Sequence, residues 1–177
     1  MYLPSKGSDD LGYMNTFAPY QYLEAGQWVD IESKWDSSIP VLAKVGGAVL
    51  VGKDVQTLAP GDKVNPADLP IDDYRGVEIF PPKGSSNGRV FTSTWYEDDG
   101  ISSSPEISTF SVSYSCTASE VKISFAHKGG AYMPVWKELH IILPVGDERT
   151  IINGSSGSVR QARSASSGRR CFVLSLA

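Results

Sequence analysis

Apolar and polar residues alternate with a period of two through the C-terminal half of the chain. In residues 90–97, Phe91 and Trp95 fall on one face, and residues 107–115 and 121–126 repeat the alternation. This pattern is typical of antiparallel strands with one buried and one solvated face. The short link over residues 116–120 is compatible with a hairpin. The pattern therefore predicts three consecutive strands of one antiparallel sheet.

Shorter apolar runs on either side of this group predict more strands. Three lie downstream, at residues 139–143, 150–152 and 171–176. Upstream, apolar residues 39–44 and 48–51 flank Val45-Gly46-Gly47, which predicts a hairpin. No stretch of about 12 residues carries a sustained helical stripe. Many short strands separated by turn signals indicate an all-β chain built of antiparallel β-sandwiches.

A polar, proline-spaced segment divides this pattern in two. Residues 55–73 contain Pro60, Pro66 and Pro70 and read as a linker or long surface loop. We therefore predict a first small sandwich domain with its linker over residues 1–70 and a second over residues 71–177. A Ser- and Gly-rich segment, 154–168, predicts a mobile loop before the last strand.

Composition removes several classes of function. The 177 residues carry 16 Lys and Arg against 20 Asp and Glu, a net charge of −4, which disfavours nucleic-acid binding because phosphates require a basic face. The longest run of apolar and glycine residues, 45–52, is much shorter than the ~20 residues of a membrane-spanning helix. The first residues have no charged stretch followed by an apolar one, so we expect no signal peptide and no membrane partner.

Cysteine and histidine are too sparse for most catalytic designs. The two cysteines, Cys116 and Cys171, and the two histidines, His127 and His140, are far apart in sequence, whereas zinc sites use closely spaced pairs. We expect two unpaired core thiols, a satisfied histidine at 140 and a surface histidine at 127. Neither a nucleophile elbow nor a phosphate-binding loop is present. We therefore predict no metal and no cofactor, and any enzymatic role would depend on carboxylates.

The sharpest local feature is Glu97-Asp98-Asp99-Gly100, which follows the aromatic pair Trp95-Tyr96. Retaining glycosidases need two carboxyl groups about 5 Å apart across a cleft, but adjacent strand residues point to opposite faces. The spacing also differs from that of a calcium-binding EF-hand loop. An Asp-Gly turn, with Asp side chains bonded to nearby backbone N–H groups, is the interpretation that the sequence favours.

Aromatic residues are dense before residue 36. They are Tyr13, Phe17, Tyr20, Tyr22, Trp28 and Trp35. Such side chains can stack on sugar rings, but sandwich cores use them just as heavily. They leave both a carbohydrate-binding and a structural role open.

Taken in chain order, the motifs resemble the region after the catalytic barrel in glycoside hydrolase family 31, the α-glucosidase and α-xylosidase family. Tyr2-Leu3-Pro4 resembles the strand just after the barrel, and the stretch with Gly26 and Trp28 resembles the family's second motif in this region. The segment from Ile39 to Leu50, which contains Pro40 and Gly46, resembles the third. Residues 77–82, Tyr96-Glu97-Asp98-Asp99-Gly100, Tyr132-Met133-Pro134 and residues 139–146 resemble the distal sandwich. The resemblance covers nearly the whole chain.

The resemblance implies a parent enzyme that hydrolyses α-glucosidic or α-xylosidic bonds with retention. The family's catalytic aspartates lie on a (β/α)8 barrel upstream of these motifs, so no residue here is carried over as catalytic. The implied partner is that barrel, and the motif residues are implied to be structural. The first sandwich would lack its initial strand, since the family's proximal sandwich begins before the Tyr2-Leu3-Pro4 strand.

The sequence supports three hypotheses. The first is a non-catalytic C-terminal accessory region of a family 31 α-glycosidase, inactive alone. The second is a free-standing carbohydrate-binding β-sandwich module. The third is an interaction chain that works only with a separate barrel polypeptide.

Overall fold

The computed structural model describes residues 1–16, 20–32, 40–51, 74–100, 102–134, 136–154, 159–163 and 170–175. These residues form strands and connecting turns, without a helix, so the predicted all-β class is confirmed. No helix long and apolar enough to cross a membrane occurs in the described part of the chain. The strands are β1 (Tyr2–Leu3), β2 (Tyr13–Asn15), β3 (Gln21–Leu23), β4 (Gln27–Trp28), β5 (Leu42–Lys44), β6 (Ala48–Val51), β7 (Tyr74–Ile79), β8 (Phe91–Glu97), β9 (Ser108–Cys116), β10 (Glu120–Gly130), β11 (Glu138–Ile142), β12 (Thr150–Asn153), β13 (Val159–Arg163) and β14 (Arg170–Ser175).

Two larger sheets enclose the main core in a sandwich-like arrangement. One has the order β12-β10-β9-β8 and the other β13-β14-β11-β7-β6. Their alternating apolar residues form one buried cluster, which includes Val112 and Tyr114 from the first sheet and Leu139 and Ile141 from the second. Burying a side chain of this size stabilises a fold by about 1.5–3 kcal/mol. The apolar residues that recur with a period of two therefore stabilise the packing of these two sheets.

Strand pairing in these sheets is mostly antiparallel, as the alternation predicts. The predicted meander is confirmed, with β8, β9 and β10 paired in antiparallel order. Two of the described pairings are parallel, however, β7 with β11 and β10 with β12. Parallel neighbours need long connections, and here those connections pass through strands of the opposite sheet.

The N-terminal strands form two smaller sheets, with the orders β3-β2-β5 and β1-β4. Met14, Ala43 and Val45 share a second buried cluster with Phe80, which directly follows β7. Asp10 accepts hydrogen bonds from the Lys44 ammonium at 2.5 Å and from the backbone N–H groups of Lys6 and Gly12, both at 2.8 Å. These bonds, the Lys44 bond foremost, lower the pKa of Asp10 to about 2 and hold the loop before β2 against β5.

The predicted hairpin around Gly46 is wrong. β5 pairs with β2, whereas β6 pairs with β7 in the five-stranded sheet, so the intervening turn carries the chain from one sheet to another. Gly46 has a φ of +89°, and a Cβ there would lie 2.6 Å from Cδ1 of Phe91. The glycine is thus required by a close approach of the turn to β8.

The predicted loop over residues 154–168 is also wrong in part, because β13 lies within it and pairs with β14. The linker expected over residues 55–73 lies outside the described residues. The division between residues 70 and 71, and the missing first strand, stay predictions.

Candidate functional site

The acidic segment after β8 forms a turn. Asp98 Oδ1 accepts a hydrogen bond from the Gly100 N–H at 2.8 Å, and Asp99 Oδ1 accepts one from the Ser102 N–H at 2.9 Å. Asp99 Oδ2 also accepts the Ser102 hydroxyl at 2.5 Å, and Gly100 has a positive φ of 64°. Both aspartates therefore bond to their own turn, the interpretation that the sequence favours.

Glu97 joins the two large sheets. Its Oε1 accepts hydrogen bonds from Arg75 Nε at 2.8 Å and Trp95 Nε1 at 3.0 Å, and its Oε2 accepts one from Arg75 Nη2 at 2.9 Å. Arg75 lies on β7 of the five-stranded sheet, and its guanidinium carbon is 5.9 Å from the centre of the Trp136 ring. Only 11% of the Glu97 side chain and 17% of that of Arg75 are exposed. This two-pronged ion pair is a structural contact.

The described residues bring no metal-binding set together. Within those ranges, no group of three or more His, Cys, Asp or Glu side chains is arranged to hold an ion. His140 bonds to Glu138 at 2.9 Å and is satisfied, as expected. His127 is exposed and stacks on Phe110 with ring centres 4.7 Å apart. Cys116 and Cys171 are free and buried, which confirms the prediction of unpaired thiols, and burial raises the pKa of both.

The N-terminal motif residues build the β1-β4 ribbon. Leu3 is buried, and its carbonyl accepts the Gly26 N–H at 2.7 Å. The carbonyl of Pro4 accepts the Tyr13 hydroxyl at 2.8 Å. Tyr2 lies directly opposite Trp28, with ring centres 5.7 Å apart, and Trp28 is 78% exposed. The motif thus leaves an aromatic pair in contact with solvent.

Other predicted positions are dispersed. Pro40 is half-buried at the edge of the described segment before β5, and Tyr96 is 71% exposed on β8. Trp35 and Phe17 lie outside the described residues. The structure does not bring the family-motif residues to one place.

A cleft of about 620 Å³ lies where the N-terminal sheet meets the end of the sandwich. Tyr20 and Tyr22 line one side, the turn between β9 and β10 lines another, and the loop between β11 and β12 closes it. The Tyr22 hydroxyl donates to the carbonyl of Pro81 at 2.6 Å, and that of Tyr20 donates to Glu78 Oε1 at 3.2 Å. Burial raises the pKa of Tyr22, so this phenol stays a neutral donor.

Arg149 holds the base of this cleft. Its Nε bonds to both carboxylate oxygens of Asp147, at 2.9 and 3.1 Å, and its Nη2 bonds to the same carboxylate. Its Nη1 donates to the carbonyls of Pro82 at 3.0 Å and Gly84 at 3.3 Å. Burial alone would lower the pKa of Arg149, but the hydrogen bonds and charge of Asp147 raise it above the ordinary value. Arg149 is 7% exposed, and its guanidinium is permanently charged and bonded through all three nitrogens.

Sequence reasoning did not single out Arg149, Asp147 or Arg75. A charged residue in a loop is usually solvated, and nothing local distinguishes these. Asp147 and Arg149 lie two residues apart and directly follow Pro144-Val145-Gly146. This sequence resembles a turn closed by its own side chains, and it is the feature from which the pair could have been predicted.

A comparison with protein-family models and a search of curated proteins each give no match. The family resemblance therefore depends on the number and order of motifs in the sequence.

Proposed function

We propose that this chain is a non-catalytic C-terminal accessory region of a family 31 α-glycosidase, with the catalytic (β/α)8 barrel on a preceding part of the parent polypeptide. The observation that carries the proposal is that the three motif carboxylates already have hydrogen-bond partners within the fold. Glu97 accepts hydrogen bonds from Arg75 and Trp95, and Asp98 and Asp99 accept hydrogen bonds within their own turn. A general acid and a nucleophile must face a cleft across a sugar, whereas Glu97 joins two sheets and the two aspartates form a turn.

The purified chain should release no 4-nitrophenol from 4-nitrophenyl α-glucoside or α-xyloside. The reason is that chemistry of this class needs two positioned carboxyl groups, and the motif carboxylates have other partners. The assay follows absorbance over hours at high protein concentration, with a protein-free blank. Turnover that persists after the affinity tag is exchanged would contradict the proposal.

The coding sequence upstream of Met1 distinguishes between the first hypothesis, an accessory region, and the third, an independent interaction chain. An in-frame continuation that encodes barrel strands supports the first hypothesis. A stop codon just upstream, together with co-purification of a separate barrel polypeptide, would favour the third.

The exposed Tyr2–Trp28 pair supports a second candidate, a carbohydrate-binding module. A Trp with 78% of its surface in water offers an apolar face on which a sugar ring can stack. If this pair is the sugar site, Trp28→Ala abolishes the heat of glycan binding in calorimetry without changing the circular dichroism spectrum. Tyr96→Ala is the matched control, since Tyr96 is similarly exposed on a different sheet. Unchanged binding in Trp28→Ala would remove this pair as the site.

A further inference from the structure

Hydrogen bonds connect the walls of the cleft between the N-terminal sheet and the β11–β12 loop. Tyr22 bonds to the carbonyl of Pro81, and Arg149 bonds to the carbonyls of Pro82 and Gly84. Residues 81–84 therefore form the floor of the cleft, to which both Tyr22 and Arg149 are hydrogen-bonded. A site that is formed before its ligand arrives loses little conformational entropy on binding, and about 620 Å³ is within the usual range of ligand sites.

The charges of the lining balance. Lys83 and Arg149 are positive, Asp147 and Glu148 are negative, and the buried Arg149–Asp147 pair neutralises itself. An anionic ligand would meet one exposed ammonium, that of Lys83, with a carboxylate in the same cleft. A purely apolar ligand would have to cover the exposed polar groups of Lys83, Glu148 and Thr150 without hydrogen-bonding to them, which is costly. The electrostatics favour a neutral, polar ligand.

The remaining lining suits a ring that is apolar on its face and hydroxylated at its edge. Tyr20 and Tyr22 supply half-buried aromatic rings whose hydroxyl groups are anchored. Exposed polar side chains line the same cleft, namely Ser119, Thr150, Lys83 and Glu148. Aromatic rings with adjacent hydroxyl and charged side chains match the C–H faces and hydroxyl groups of a sugar.

We infer that this cleft binds one to three units of a neutral saccharide, at a site separate from the Tyr2–Trp28 pair. The inference rests on the second candidate function, places its sugar site in the cleft instead of at the Tyr2–Trp28 pair, and is independent of the accessory role. We expect a dissociation constant on the order of 0.1–1 mM, since an open cleft covers only part of a short sugar chain.

The test is calorimetry on the full 177-residue chain with maltotriose, isomaltotriose and a xylosylated cello-oligosaccharide. Trigalacturonic acid is the charged comparison. Ala118→Trp places a large side chain in the cleft from the exposed β9–β10 turn without removing a described hydrogen bond of a side chain. Ala126→Trp is the matched control, because Ala126 is also exposed but lies on β10 away from the cleft.

Binding of a neutral probe that weakens at least about tenfold, or 1.4 kcal/mol, in Ala118→Trp but not in Ala126→Trp or Trp28→Ala supports the inference. Equal binding by Ala118→Trp overturns it, as does tighter binding of trigalacturonic acid. Loss in Trp28→Ala alone overturns the cleft and leaves the second candidate standing. Flat heats with every neutral probe overturn both and leave the accessory role unaffected. If Ala118→Trp unfolds, Lys83→Trp blocks the cleft from its floor, with exposed Lys137→Trp as its control.

Discussion

Replacing Arg149 with methionine should lower the free energy of unfolding by about 3–5 kcal/mol, because removing one partner of a buried ion pair leaves the other charge uncompensated. Asp147 is 9% exposed in its side chain and would lose its only described cation partner. The carbonyls of Pro82 and Gly84 would lose their donor as well. Urea titration followed by circular dichroism measures the change.

Two further variants serve as controls for Arg149→Met. Arg160→Met removes an arginine that is 64% exposed and whose described bond to Glu138 is 3.4 Å long, so we expect a loss below about 1 kcal/mol. Arg149→Lys keeps the charge but not the fork of donors and should fall between the two. A loss below about 1 kcal/mol in Arg149→Met would show that the pair is dispensable.

Glu97→Gln should cost about 2–3 kcal/mol of stability, since a hydrogen-bonded ion pair that joins two sheets would be broken. The amide would place a donor against Arg75, whose guanidinium now meets two carboxylate oxygens. The measurement is again the free energy of unfolding in urea.

Asp98→Asn is the matched control for Glu97. Asp98 is exposed and its described bond is to the Gly100 N–H, which an amide oxygen can also accept, so we expect a loss below about 0.5 kcal/mol. If both variants behaved alike, the distinction between a sheet-joining Glu97 and a turn-forming Asp98 would be mistaken.

The alternation of side chains was sufficient to predict the central strands. Phe110, Val112 and Tyr114 lie in the core and Ser113 and Ser115 do not, because the pleat decides which face a residue occupies. Ser111 departs from the expectation, since it lies on the face predicted to be solvated and is nevertheless buried. Which strands pair is not a local property. The sequence around Gly46 describes a tight turn correctly but contains nothing that separates a hairpin from a passage between sheets.

Strand β13 escaped prediction because its sequence, Val159-Arg160-Gln161-Ala162-Arg163, is polar. It is the edge of its sheet, and edge strands commonly carry charge that discourages pairing with other chains. The weak signal was Val159, which packs against the core while Arg160 and Gln161 are exposed.

The turn role of Asp98 and Asp99 was predictable, since their partners lie within three residues. The partner of Glu97 was not, because Arg75 precedes it by a whole strand and its connection. The cleft could not be predicted from the sequence for the same reason. Its lining comes from β2, β3 and three later connections, those between β7 and β8, between β9 and β10, and between β11 and β12, and only the packed structure brings these segments together.

The position of β7 has a consequence for how the chain folds. β7 pairs with β6 on one side and, in parallel, with β11 on the other, and β11 comes only after the β8–β10 meander is complete. Local hairpins close quickly, whereas distant pairing must first overcome the entropy of a long loop. We therefore expect β8, β9 and β10 to assemble early and β7 to wait with an open edge until β11 arrives. During that interval a second copy of the chain competes for the same edge, so the rate of folding and the tendency to aggregate are governed by the same strand.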